Sequence, residues 1–308
     1  LKKRWVITAA VLLVVIGVIV VVLADRKYCL FPSPKFSHAP YVTPDTRVQI
    51  GLWPGNGGED LLAILRAALP EKQRPSNWLL KRILPHEATV LLAPNLQSQS
   101  IAVTAFINDQ RFGPVIRDAV NEANPSRSVP VVRWLADGMV VEKRGILTLR
   151  GDIPMDAHST QLTQSSWPGA PAGAPLALEG GHAIEIMLDN RDGGAFAVLS
   201  SLELLKGLDG ENNPDFYVEL LANVSWLRLF ADFAGTNDAA LKLHIECRPD
   251  AEPGVAGSIQ FVVDMGLMAA KKALEAKGAA LVGASRVEGN AVVGDYTLRG
   301  LDKLIPAG

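Results

Sequence analysis

Two cysteines in 308 residues, Cys29 and Cys247, are too few for a disulfide framework. One bridge at most could join them, and their placement argues against it, with Cys29 beside an apolar N-terminal run and Cys247 deep in the chain. Neither C-x-x-C nor C-x-x-C-H occurs, which excludes covalently attached haem. Charge of one sign is also missing. A formal balance of −2, with no basic run in the body of the chain, gives no long-range attraction to nucleic acid.

Chemistry-bearing motifs are equally scarce. None of the five histidines, His38, His86, His158, His182 and His244, lies four residues from another, so no helical metal pair exists. His244 and Glu246 share a strand face, where a surface pair beside Lys242 is the simpler reading. The glycine-rich stretch Gly51 to Gly58 stands between a strand and a helix, as a phosphate loop would. It lacks both the Gly-Lys-Ser/Thr ending and the G-x-G-x-x-G spacing, and Trp53-Pro54 would crowd a phosphate. Gly283-Ala284-Ser285-Arg286-Val287 starts like a nucleophile elbow but has no closing glycine and falls on a predicted hairpin strand. Asn223-Val224-Ser225 matches a glycosylation sequon and is read as coincidence. The expectation is therefore no catalytic residue, no cofactor site and no metal site.

What the sequence does contain begins with an uncharged run of nineteen residues, Val6 to Ala24, whose one polar member is Thr8. As a helix it would span about 28 Å, close to the hydrocarbon thickness of a bilayer. It is apolar all round, as a lipid-facing helix is, with Val6, Leu12, Val15, Ile19 and Leu23 along it and Trp5 at the interfacial position. A cleaved signal peptide is the rival reading, with Lys2, Lys3 and Arg4 as its basic start and Val22-Leu23-Ala24 as its cleavage site. Signal cores of about 7–15 residues are shorter than this run, which favours a retained single-pass anchor. A lipid-modified Cys29 is disfavoured by the charged and bulky Arg26-Lys27-Tyr28 before it. Basic residues flank both ends, Arg26, Lys27 and Lys35 following the run, so the orientation rests on the immediate N-terminal triplet. The expected topology is a cytoplasmic N-terminus and a periplasmic or otherwise extracytoplasmic main domain at the cell (inner) membrane.

Residues 28–46 carry prolines at 32, 34, 40 and 44 and should run extended. Their aromatics include Phe31, Phe36 and Tyr41, candidates for contact with a partner or with the chain's own domain. A second candidate contact is a short helix between Pro75 and Pro85, which places Trp78 and Leu79 beside Lys81 and Arg82.

The remainder reads as α+β: two similar units, each about β-α-β-β-α-β-β, with antiparallel or mixed sheets and helices on one face. The expected organisation is an anchor at 1–27, a spacer at 28–46, a first unit at 47–155, a Ser/Gly/Ala/Pro-rich linker at 156–181 and a second unit at 182–308. Gly57-Gly58 and Gly193-Gly194 open corresponding helices, and Thr148-Leu149-Arg150-Gly151 repeats as Thr297-Leu298-Arg299-Gly300, which suggests tandem duplication. Alternation along Leu241 to Cys247 puts Cys247 in the core and His244 outside. In the long helix near Ser258–Lys277, Val262, Met265, Ala269, Ala273 and Ala276 form a stripe expected to face the core.

An anchor, a spacer and a duplicated unit without catalytic motifs favour a non-catalytic accessory or scaffold subunit of a larger membrane complex. Its expected partners are the lipid bilayer and other membrane-protein subunits. An energy-transducing assembly, photosynthetic or respiratory, is one natural setting, and no residue selects it. The alternatives are an anchored extracytoplasmic binding protein for a lipid, glycan or peptide and, third, a membrane-tethered hydrolase with scattered catalytic residues.

Overall fold

Runs of β-branched and apolar residues bounded by Gly, Asn and Asp form strands here, and every strand pairs antiparallel with its neighbour. A computed structural model describes residues 20–21, 37–67, 76, 84–95, 97–108, 133–134, 140–143, 146–155, 176–201, 222–235 and 237–304. The strands are β1 (Val48–Leu52), β2 (Glu87–Asn95), β3 (Ser100–Asn108), β4 (Arg133–Trp134), β5 (Val140–Lys143) and β6 (Ile146–Pro154), then β7 (Ile184–Asp189), β8 (Val224–Phe233), β9 (Asp238–Cys247), β10 (Ala280–Glu288) and β11 (Ala291–Arg299). Nine of them form one continuous sheet in the order β10-β11-β9-β8-β7-β1-β2-β3-β6, and the short β4 and β5 both pair along the outer side of β6.

The α+β expectation holds, with one correction. The two stretches do not build separate sheets: β1 and β7 pair antiparallel, with Ile50 opposite Ile186, and fuse them into one. Around that seam the order of elements is the same on both sides, β1-β2-β3-β6-β5 outward in one direction and β7-β8-β9-β11-β10 in the other. The repeated Thr-Leu-Arg-Gly does not mark equivalent places, because Thr148 lies opposite Phe106, near the end of β3, and Thr297 opposite Ala240, near the start of β9. Two expected boundaries also shift. Pro94 and Asn95 belong to β2 and not to a turn, and the strand expected over Met139 to Leu149 breaks so that β5 folds back on β6.

Among the described residues the helices are α1 (Gly58–Ala67), α2 (Gly194–Ser201) and α3 (Val255–Glu275), followed by a closing helical turn (Leu301–Leu304). Glu59 and Asp60 in the first turn and Arg66 in the last favour α1 through the helix dipole. α3 ends in a Schellman motif, with Gly278 at positive φ, its N–H bonded to Glu275 O at 2.9 Å and the Ala279 N–H to Leu274 O at 3.0 Å.

One face of the sheet is apolar and carries the helices. Directly opposed residues share a face, so the row Val292, Ile245, Leu227, Leu188, Val48, Leu92, Val103 lies on one side. Ala195 and Val198 of α2 cover one end of it with Ile101 and Ile153, while Ala256 and Ile259 of α3 cover the other with Val224 and Cys247. Cys247 is buried as expected, and burial, with Glu246 adding, pushes its thiol pKa up, which leaves it a poor nucleophile.

Among the described residues β10 is a free sheet edge, and α3 guards it. In the two-residue hairpin that joins β10 to β11, alternate residues of β10 turn their carbonyls outward, Gly283 and Ser285 among them. Lys271 Nζ donates to Gly283 O at 3.3 Å and Gln260 Nε2 to Ser285 O at 2.9 Å, while Ser285 Oγ donates to Asp264 at 2.6 Å. Carbonyls occupied by side chains are poor templates for an added strand.

Candidate functional site

The opposite face of the sheet has the composition of a solvated surface, yet half of it is buried. Gln49, Glu87, Thr89, Asn108, Thr148 and Glu185 all lie on this face, each at most 5% exposed. Two irregular segments from outside the sheet meet this face, one at Glu87 and the other at Gln49 and Glu185.

The first cover is residues 37–46, the C-terminal half of the proline-bearing spacer. His38 is buried and its Nδ1 contacts Glu87 Oε1, the oxygen that also accepts a bond from Thr89 Oγ1 at 3.0 Å. Tyr41 lies on Phe106, ring centroids 5.0 Å apart, and Phe106 is fully buried. The segment bonds to itself: Tyr41 N–H to His38 O at 2.8 Å, Val42 N–H to Ala39 O at 3.2 Å and Thr46 N–H to Thr43 O at 3.0 Å. Backbone pairing with the sheet begins only at Arg47, whose N–H reaches Leu92 O at 2.9 Å.

The second cover is residues 176–182, the end of the linker. The Glu185 carboxylate accepts the N–H groups of Glu179, Gly181 and His182 at 2.7, 2.8 and 3.1 Å, and Gln49 Nε2 donates to Leu176 O. Asn56 Nδ2 holds the Gly180 and His182 carbonyls, each at 3.0 Å. Gly51 has no tolerance for a side chain, because a Cβ there would stand 2.2 Å from the Trp53 ring that wedges against Gly180. The glycine-rich loop of the sequence reading is thus a packing site for Trp53.

Arg47 pins the start of β1 to the start of α2. Its Nε donates to both Asp192 oxygens, at 2.8 and 2.9 Å. Burial opposes ionisation of Asp192, but bonds from Arg47 and the Gly194 N–H outweigh it and hold the carboxyl below the usual range.

On the other half this face is open. Trp226 stacks with His244 at 4.5 Å, Arg228 lies 5.6 Å over Trp226, and Phe230 stacks with His182 at 4.5 Å. Beyond them Lys242 and Asp295 are exposed, and Arg286 links Glu288 at 2.6 Å to Asp295 at 2.9 Å. His244 Nε2 is 3.2 Å from Glu246, the surface pair expected from the alternation.

Imidazole–carboxylate pairs among the described residues include His38–Glu87, His182–Asp232 at 2.6 Å and His244–Glu246. Among the described residues no hydroxyl or thiol side chain is bonded to any of these imidazoles, and no group of three or more His, Cys, Asp or Glu could hold a metal. A recess of about 510 Å³ lies where Thr43 and Asp45 meet Asn95 and Gln97 at the β2–β3 turn.

The outer side of α3 is the second feature, and it corrects the sequence reading. Phe261, Met265 and Met268 are 63%, 51% and 68% exposed. Of the stripe expected to be core, Val262 alone turns to the sheet, while Met265, Ala269, Ala273 and Ala276 lie outside. The buried side is instead Ala256, Ile259, Val262 and Val263.

Of the expected contact residues only Tyr41 is described, and it packs on its own domain. Phe31, Phe36, Trp78, Leu79, Lys81 and Arg82 fall outside the described residues, as do Trp5, Val6, Leu12, Val15, Ile19 and Leu23. Of the run 6–24 only Val20 and Val21 are described, and no described helix is long and apolar enough to cross a membrane.

No protein-family description matches the chain, and no curated protein resembles it in sequence. Among solved structures there is a likeness to crystal form I of TP0453, with 12% identity over 85% of this chain and 92% of that one. The TM-score of 0.37 is too low to carry an argument about fold or function.

Proposed function

We propose that the protein is a non-catalytic, membrane-anchored accessory or scaffold subunit that docks another subunit on the outer side of α3. The observation behind this reading is the exposure of Phe261, Met265 and Met268 in one row opposite the sheet. Their i, i+4, i+7 spacing makes a continuous apolar strip, flanked by exposed Gly257, Ser258 and Ala269 that let a facing helix approach closely. Phe and the flexible Met are residue types enriched where proteins meet. The apolar run 6–24 supplies the anchor in this reading and places the strip beside other membrane subunits.

We infer further that the chain is a tandem duplication. Aligned without a gap, Val48–Gly58 falls on Ile184–Gly194, which matches Gln49 with Glu185 and the two Gly-Gly pairs. The same alignment sets Ile50 on Ile186, its own partner across the seam. A two-fold axis through that pair accounts for the mirrored element order.

The test is mild-detergent extraction of the full chain from native membranes, followed by sizing, beside a Met265→Lys variant. The reading expects a large particle with stoichiometric partners that the variant loses while remaining folded. A lone species in both cases contradicts it and turns attention to the anchored-binder alternative.

A further inference from the structure

We propose that residues 37–46 are a releasable strap, and that its release lengthens the tether between membrane and sheet. The inference rests on the anchored reading above, since a tether has an end only if the chain is anchored.

The strap adds no strand to the sheet. Its backbone bonds close within it or on Arg47 at its C-terminal end, whose Nη1 donates to Pro44 O at 2.6 Å and Thr46 O at 3.2 Å. Ahead of that hinge its side chains meet the sheet at His38 on Glu87 and Tyr41 on Phe106. Ala39 and Pro40 between those two contacts, and Thr43, Pro44 and Asp45 after them, are exposed. Where His38 meets the sheet the floor is polar, with Glu87 and Thr89 buried where a permanent core would have Val, Ile or Leu.

The fit is also incomplete. His38 Nε2 and, under the neighbouring cover, Gln49 Oε1 are buried with no hydrogen-bond partner among the described residues. Burying a polar atom without a partner weakens the docked state relative to one in which water reaches it. A polar, partly unsatisfied contact resembles interfaces that open, not cores that persist. The tether consequence is geometric. Docking holds residues 37–46 on the sheet; release adds those ten residues, about 30 Å of extended reach, to the connection between sheet and anchor.

The experiment uses the full chain in phosphatidylcholine vesicles and two variants, His38→Ala and Glu87→Gln, the second keeping the size of the side chain. Amide hydrogen exchange across residues 38–46 should quicken at least tenfold in both, with β3 unchanged. No change in the strap, or strap and β3 quickening together, overturns the proposal. A dye on Lys242→Cys in a Cys29→Ser background, read against labelled lipid, should show weaker energy transfer in Glu87→Gln. Unchanged transfer with a released strap overturns the tether-length part. A chain that fails to float with the vesicles refutes the anchored reading, while the exchange contrast still decides whether the strap releases.

Discussion

On its polar face the sheet presents one chemistry in two states. A single row of opposed side chains crosses it: Thr148, Phe106, Thr89, Gly51, Glu185, Phe230, Lys242, Asp295, Ala284. The first five are buried and the last three exposed, with Phe230 between. Nothing in the strands themselves sets that boundary. Among the described residues, chain from outside the sheet lies on the buried half, residues 37–46 at Glu87 and Phe106 and residues 176–182 at Gln49 and Glu185. The same alternating pattern can therefore make a solvated surface or a buried polar layer, according to what crosses it.

The largest effect that could break this comparison is at Phe106. Phe106→Ala should lower stability by about 4 kcal/mol in denaturant titration. Lys242→Ala, on the same face of the bare half, should stay within about 0.5 kcal/mol. Equal effects would mean that the cover does not make the difference.

Next is Glu185. Glu185→Ala strips three backbone N–H groups of their acceptor and should cost about 2–4 kcal/mol. It should also make the chain near residues 176–182 sensitive to protease. Asp295→Ala, whose carboxylate meets Arg286 in solvent, should be nearly silent in both measurements.

A smaller effect sharpens the same contrast at the border of the covered half. Asp192 has a depressed folded pKa, so its contribution is present above the unfolded carboxylate pKa of about 3.9 and is lost as pH falls through the folded value. Asp192→Asn should cost about 0.5–1 kcal/mol at pH 7, an amount limited by the partial exposure of the carboxylate. The difference from the unmodified protein should vanish in strong acid. A difference that persists there would assign the effect to shape instead of charge.

Much of the fold is legible in local pattern. Ser100–Asn108 and the closing hairpin can be read from alternation and the Gly289-Asn290 turn, and Gly278 marks the end of α3. Burial on the two faces is harder to read. By alternation Ile50 should be covered and Gln49 and Glu185 open, yet Ile50 is 38% exposed and both polar residues are 1% exposed. Their covers come from distant, turn-rich segments whose docking leaves no periodic trace. α3 fails for a different reason. Val255, Ile259, Val262 and Val263 on one side, and Phe261, Met265 and Met268 on the other, are comparably apolar. Periodicity then cannot choose the inner face; contact with Val224, Ile245 and Val292 does.

Thiol labelling tests the central claim, that a segment outside the strands decides what this face exposes. Single cysteines would replace Thr89 and Lys242 in turn in a Cys29→Ser background, with Cys247 left in its core position. Lys242→Cys should react at the rate of a free thiol, and Thr89→Cys, beside the Glu87 oxygen that His38 contacts, at least a hundredfold more slowly, a protection that His38→Ala reduces. Equal rates at the two positions, or protection at Thr89→Cys that ignores the loss of His38, would contradict the account.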